Sequence, residues 1–444
     1  MILAKFKSGP RKFPGAAAFS AVLAVAIFIG GAPSHAQSLK ESLDGLVKNH
    51  KRIRAAEMDM ATAKELIRVS VGDWFPTMDL TANQGYEEQR KGQGVVDTNI
   101  YPREFDVTLT QKVWDFGATN AAIRNARLTF DQARENLTAT RQSVLLEGIT
   151  AHLRLISSAQ ILKFALQSEG NIKRQADIED SLVQRGSGLS TDVLQAKTQL
   201  AGARSRRVQV DGAYKVARNR YRAIFGAEPP EDVSVLTTPR APVELILETV
   251  EEVVEESLKN NPQLLSTKLT SELALENVKK TFSEEVYPTL NAQIDGKWKN
   301  DVNGIVGGKQ ELLLKMEMTK SINLGLTAVN TLRAAKKAHL SKENIYGDAR
   351  NLVEEQARNA WQNLLTTKEN SEFLINQANI AAEFLGLARK ERTMGTRSLI
   401  DVLVGETALI NASSDAESAK TDVKIAVYTV LGVMGQLEAD IINE

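Results

Sequence analysis

The chain has no cysteine among its 444 residues. Disulfides, thiolate metal sites and a lipid-bearing thiol are thereby excluded, so stability has to come from packing or association. Aromatic residues make up 5% of the chain and prolines number only 11, which leaves long stretches open to helix. The histidines are His35, His50, His152 and His339. None stands at ligand or triad spacing from another, so metal-assisted or nucleophilic chemistry is not expected and no cofactor is implied. Gly186-Ser187-Gly188 lacks the preceding strand and the lysine of a phosphate loop and reads as a turn between helices. An excess of one charge is also missing, with 55 basic and 55 acidic residues. The clustered basic face of a nucleic-acid binder is not found.

Residues 1–36 read as a secretory leader. Lys5, Lys7, Arg11 and Lys12 precede an apolar run from Ala16 to Ile29, and Ser34-His35-Ala36 is a small-x-small cleavage site. That run is shorter than the ~20 residues that span a bilayer as a helix. Export and a mature start at Gln37 are the expectation, against an uncleaved anchor. The leader carries four bases and no acid, so the remainder has 51 basic and 55 acidic residues. No later apolar run approaches membrane-helix length; entry into a membrane would have to use alternating strands.

From Leu46 to Leu437 the chain reads as one sequence written twice. Phe75-Pro76-Thr77 returns as Tyr287-Pro288-Thr289. Arg185-Gly186-Ser187-Gly188-Leu189-Ser190-Thr191-Asp192-Val193-Leu194 returns as Met394-Gly395-Thr396-Arg397-Ser398-Leu399-Ile400-Asp401-Val402-Leu403. The offset is about 210 residues, far beyond a solenoid repeat of ~20–50. It marks a duplicated half. The organisation expected is a leader over 1–36, a first repeat over 37–226, a linker over 227–247, a second repeat over 248–436 and a tail over 437–444.

Each repeat predicts a long helical hairpin. No proline interrupts Gly117 to Gly186 or Gly325 to Gly395. Each stretch of roughly 70 residues would reach on the order of 100 Å as one helix. Val193, Ala196, Leu200, Ala203, Arg207, Val210, Tyr214, Ala217, Tyr221 and Ile224 form a heptad seam, as do Val402, Gly405, Leu409, Ala412, Ala416, Ala419, Val423, Ala426, Val430, Val433 and Leu437. Ala357, Trp361, Leu364, Lys368, Ser371, Ile375, Ala378, Ala382 and Leu385 give the partner seam. Arg207 reads as a snorkelling side chain. Shorter helices are expected over 39–71, 190–225, 247–282 and 398–436, two end to end matching one long helix. The connection holding Pro229, Pro230, Pro239 and Pro242 cannot be helical and should lie where they meet.

After Pro76 and Pro288 the period changes to two. Leu290, Ala292, Ile294 and Trp298 alternate with polar residues, as do Leu312, Leu314, Met316 and Met318, and Val107, Leu109 and Val113. Segments of about 9–12 residues suit tilted membrane strands, with long loops expected over 85–103 and 299–309. Aromatics near the strand ends (Trp74, Phe75, Tyr101, Trp114, Phe116, Tyr287, Trp298) suit interfacial girdles. Four strands cannot close a membrane barrel, and open edges in lipid are forbidden. Several chains must contribute; a trimer gives twelve strands above twelve helical columns. Soluble hairpins are the competing reading.

These features resemble the TolC family of outer-membrane channels across nearly the whole chain after the leader. The most specific part is Gly395 to Leu403, which is similar to the family's inner-hairpin tip almost position for position. Thr191-Asp192-Val193 resembles the outer tip, and Val113-Trp114-Asp115-Phe116-Gly117 the strand-to-helix junction. The resemblance implies a mixed α+β fold: a trimeric 12-stranded transmembrane β-barrel continuous with a periplasmic α-helical coiled-coil barrel, each chain an internal duplication. It implies a homotrimer in outer-membrane lipid that does no catalysis. It also implies two further partners, a periplasmic adaptor protein meeting the hairpin tips and an inner-membrane ABC or RND pump.

The resemblance carries over a gate as well. Arg397 would bond Thr191 and Asp192 of the outer tip, and Asp401 would form an acidic ring at the narrowest point. Arg392 stands where the family has a tyrosine that ties the tips, and Val404 where it has a second ring acid. Gly186, Gly188, Leu189, Ser190, Gly395, Thr396, Ser398 and Leu399 would form the adaptor-facing tips. Asp192 and Asp401 have a structural role available too: acids in a first helical turn favour the dipole by roughly 0.3–1 kcal/mol. The tip is somewhat nearer to type I protein-secretion channels than to multidrug channels. A periplasmic adaptor has one hairpin rather than two, and a purely structural coiled coil has no Pro-bounded strands, so both fit less well.

Overall fold

Two helices of 67 residues, α3 (Ala118–Gln184) and α7 (Thr327–Thr393), set the height of the molecule. At 1.5 Å per residue each is about 100 Å long. The structure, a computed structural model, describes residues 39–441 apart from 93; the leader expected over 1–36 lies outside the described residues. Each long helix turns back into a half-length partner, α4 (Ser190–Phe225) or α8 (Leu399–Val433). Two further rods, α2 (Lys51–Gly72) and α6 (Pro262–Val286), flank α3, and α6 also packs on α7.

The short helices do meet end to end. Glu147 of α3 accepts from Arg52 of α2 at 2.7 Å and from Arg220 of α4 at 3.0 Å, so one carboxylate spans that join. At the other join, Asn261 donates its side-chain amide to the Val433 carbonyl at 3.0 Å, and Gln142 donates to the Gly435 carbonyl at 2.7 Å. The main apolar core lies here, at mid-height. It gathers Leu43, Leu46 and Ile53 with Val144, Leu145 and Ile149 of α3 and Tyr428 and Leu431 of α8. Gly148 permits this contact: a β-carbon on it would stand 2.7 Å from a Leu46 methyl.

The single helices expected over 39–71 and 247–282 are each two. α1 (Leu39–Asn49) breaks from α2 at His50, and α5 (Val250–Asn260) breaks from α6 at Asn261. In the second copy Pro262 is the cause. It disfavours helix at the residue before it, suits the first helical position after it, and leaves Asn261 to accept from the Leu264 amide at 3.1 Å. The Gly226–Thr249 connection is non-helical save for short 3-10 turns at Val233–Val235 and Val243–Leu245.

The seams of α4 and α8 fall where the periodicity puts them, with no member exposed. The α7 seam differs. Lys368 and Ala382 are exposed, while Thr367 and Ala381 turn inward, so the buried register runs Ala357, Ala360, Leu364, Thr367, Ser371, Leu374, Ala378, Ala381, Leu385, Ala388. Both registers hold a 3-4 spacing in sequence. The one carrying smaller side chains wins because the helices approach closely.

Four strands form one antiparallel sheet in the order β1 (Thr77–Gln84), β4 (Arg103–Trp114), β5 (Thr289–Val302), β6 (Ile305–Thr319). Register aligns like with like. Met78 lies opposite Leu109, Leu109 opposite Ile294, and Ile294 opposite Leu314, while Asp79, Thr108 and Asp295 share the other face. Within one chain β1 and β6 are open edges.

The loops are shorter than expected. A small hairpin, β2 (Glu87–Gln89) with β3 (Thr98–Ile100), occupies part of 85–103. The loop expected over 299–309 shrinks to Asn303-Gly304, both at positive φ (56° and 72°) between the paired Val302 and Ile305. Asn-Gly at two left-handed positions is the turn that matches strand twist.

The helical tips as the candidate functional site

Both long helices end by the same device. The amide of Gly186 bonds the Val183 carbonyl at 2.9 Å and that of Ser187 the Leu182 carbonyl at 3.0 Å; Gly395 and Thr396 repeat this on Arg392 and Glu391, both at 3.0 Å. Gly186 and Gly395 sit at φ 73° and 79°, which a side chain would resist. Gly188 is needed for space instead: a β-carbon there would lie 2.9 Å from the Val183 amide nitrogen. The returning helices start differently. Ser398 caps α8 by accepting from the Asp401 amide at 3.3 Å. In the first hairpin Leu189, which has no side-chain cap, holds that position, and Ser190 is the first residue of α4.

The two hairpins of one chain are seamed together near the tips. Leu399 and Leu403 of α8 insert against Ile172 and Ala176 of α3 and Ala196 of α4. Two buried carboxylates reinforce this seam, and sequence reading missed both. Glu179 of α3, 2% exposed, accepts from Arg392 of α7 at 2.9 Å and from Gln175 at 3.2 Å. Glu406 of α8, 6% exposed, pairs with Arg389 of α7 and accepts from Asn171 of α3 at 2.6 Å. A carboxylate this deep is tolerable only when paired and hydrogen-bonded. The sequence carries no signal for either, because Arg389 and Arg392 near the end of α7 are already accounted for by the helix dipole.

Arg392 thus ties the two hairpins by charge. Arg397 is held inside its own hairpin. It donates to Glu391 at 2.6 Å, approaches Asp401 at 3.9 Å and lies over the Phe384 ring at 5.4 Å. Within one chain it does not reach Thr191 or Asp192. Thr191 is exposed and Asp192 half-buried in the first turn of α4. Val404, Leu189, Leu194 and Met394 are exposed apolar residues around the same end. Among the described residues no His, Cys, Asp or Glu cluster could hold a metal ion. Around the tips the structure offers exposed apolar side chains beside paired charges.

A family model described as "Outer membrane efflux protein" matches residues 43–227. The Outer membrane protein TolC of Vibrio cholerae is 23% identical over 427 residues, covering 92% of this chain and 93% of that protein. The Outer membrane efflux protein BepC of Brucella suis is 24% identical over 447 residues, covering 94% and 91%. Among solved structures, the Campylobacter jejuni CmeC outer membrane channel superposes with a TM-score of 0.78 at 14% identity, covering 91% and 87%. That likeness extends over hairpins and sheet alike and establishes the fold.

Proposed function

We propose that the chain is a member of the outer membrane efflux protein family and serves as the exit duct of a tripartite export system. It is an outer-membrane channel protein with a large periplasmic helical part. One observation carries the reading of how it closes. The sheet has an apolar face built in register from four strands, yet both its edges are open. In lipid those edges must be paired. Three copies give twelve strands and a closed barrel, with helices about 100 Å long continuing the duct into the periplasm.

The duct does no chemistry, and its energy comes from an inner-membrane ABC or RND pump. A periplasmic adaptor meets the tips around Gly186 to Ser190 and Gly395 to Leu399. In the closed trimer the three Asp401 carboxylates ring the axis, and Arg397 reaches Thr191 and Asp192 of the neighbouring subunit. The cargo is protein, by type I secretion. The likeness of the Arg397-to-Leu403 tip to secretion channels supports this; the second reading is small-molecule efflux, and the BepC relative is named an efflux protein.

Native mass measurement of the detergent-extracted protein tests the closure: a trimer is expected, and a stable monomer would overturn it. Deleting the gene separates the cargoes. Loss of a secreted protein with unchanged drug susceptibility supports the first reading; the reverse supports the second.

A further inference from the structure

Below the non-helical connection at mid-height lies a cavity of about 550 Å³ that the duct does not require. Its walls come from α3, the connection, α7 and α8 of one chain. α8 packs against both α3 and α7, so the cavity is built within one chain. Arg240, Lys368, Lys420 and Lys424 line it, against only Glu372 and Glu417. Arg240 is engaged by Glu244 at 3.2 Å. Among the described residues none of the three lysines makes an ion pair.

That arrangement works against the fold as it stands. Lys420 and Lys424 are four apart on one helix, where like charges repel. Lys424 is half-buried, and burial pulls its pKa down, opposed by Glu417 and assisted by Lys420. Three ammonium groups without an ion pair, Lys368 and Lys420 exposed and Lys424 half-buried, line one concavity with only two carboxylates, an excess of positive charge that an anion would balance. Apolar residues share the remaining wall, Leu153 and Ile156 on α3 with Val243 and Val423, alongside Thr238, Ser371 and Thr421. The volume is that of a small-molecule site.

We propose that this cavity binds a small amphiphilic anion, its phosphate or carboxylate head held by Lys368, Lys420 and Lys424 and its apolar body laid against Leu153, Ile156 and Val423. An ammonium is a compact charge that suits either head group without demanding bidentate geometry. The head can come from a lipid fragment or from a soluble metabolite; the recognised chemistry is the same.

Calorimetry on the assembled, detergent-purified channel tests this, with phenyl phosphate as the probe. Inorganic phosphate serves as a head-only control and benzyl alcohol as a body-only control. Saturable binding of one phenyl phosphate per subunit is expected, with both controls weaker. Lys420→Gln and Lys424→Gln should each weaken it about tenfold, the scale of one charged hydrogen bond, and Lys424→Arg should retain it. Lys173→Gln, on an exposed part of α3 outside the cavity, should bind as wild type. Trimer mass and circular dichroism check that each variant is folded. Unchanged affinity in both lysine variants, or inorganic phosphate binding as tightly as phenyl phosphate, would overturn the assignment.

Discussion

Arg392 and Glu179 lie on different halves of the duplicated chain and meet at 2.9 Å. The carboxylate is almost fully buried, the guanidinium about one-third exposed. The bond ties the end of α7 to α3 and so joins the two hairpins near their tips. Any opening that separates the hairpins has to break it or carry both together.

Removing the arginine leaves a buried acid without its cation. Arg392→Ala should destabilise the tip by about 2 kcal/mol, below the 3–5 of a fully buried pair because Arg392 is partly wet. It should raise resting conductance in planar bilayers. Glu179→Gln should do less, since the amide oxygen still accepts a hydrogen bond. The double exchange Glu179→Arg with Arg392→Glu should recover part of the loss. A double-mutant cycle gives the coupling directly; independent effects of the two single changes would remove the tie from the gate.

Much of the fold is legible in the sequence because its periodicities are simple. Proline-free stretches between Gly117 and Gly186 and between Gly325 and Gly395 became helices of 67 residues, and period-two segments after Pro76 and Pro288 became strands. The misreadings have physical causes. Two registers of α7 both satisfy a heptad, and only close approach to its neighbours selects Thr367 over Lys368. The charged surroundings of Asn303-Gly304 look like a loop, while the dipeptide itself demands a tight turn. In the tips the turn glycines and Ser398 could be placed from sequence. Glu179 and Glu406 could not, because a lone glutamate on a helix gives no sign that tertiary packing will bury it.

His152 links pH to the mid-height core. It is fully buried, and its Nε2 lies 2.9 Å from the Thr237 carbonyl of the connection, while Nδ1 has no hydrogen-bond partner among the described residues. Burial holds its pKa below the ordinary 6.5, against the opposing pull of the Thr237 bond. The folded state therefore takes up a proton less readily than the unfolded state. Its contribution to stability is full above about pH 6.5 and falls as the pH drops through that value. Thermal unfolding from pH 8 to pH 5 should show wild type losing more stability than His152→Gln, which keeps an amide donor for Thr237. Parallel profiles would show that His152 binds its proton equally in the folded and unfolded states.

Arg397 and Asp401 separate a gate from a helix cap. Arg397 immediately precedes the Ser398 cap of α8, and Asp401 lies in its first turn, where it gains from the dipole and its amide is bound by Ser398. If that is their whole role, Asp401→Ala lowers stability by about 0.3–1 kcal/mol and leaves conduction unchanged. An axial ring of three carboxylates adds more: mutual repulsion and a preference for cations. Asp401→Ala is then expected to lower cation selectivity, and Arg397→Ala to raise single-channel conductance. Bilayer recordings at wild-type values for both variants would leave capping alone.

The sheet gives the most direct test of the membrane assignment, because adjacent residues of β6 should respond oppositely. Leu312, Leu314, Met316 and Met318 lie on the face shared with Ile294 and Leu109 across the sheet. Lys315 and Glu317 lie on the other face and bond each other at 3.1 Å. In a closed barrel one face meets lipid and the other the lumen. A cation added to the lipid face near mid-membrane costs about 2–4 kcal/mol, and one added to a water-filled lumen costs little. Leu314→Arg should therefore lower the yield of assembled trimer in outer membranes sharply, while Glu317→Arg should assemble like wild type and change only conduction. Heat-resistant trimer on gels of isolated membranes measures both. Equal loss from the two substitutions would mean the faces do not divide lipid from water. The apolar face would then have to be buried against protein instead.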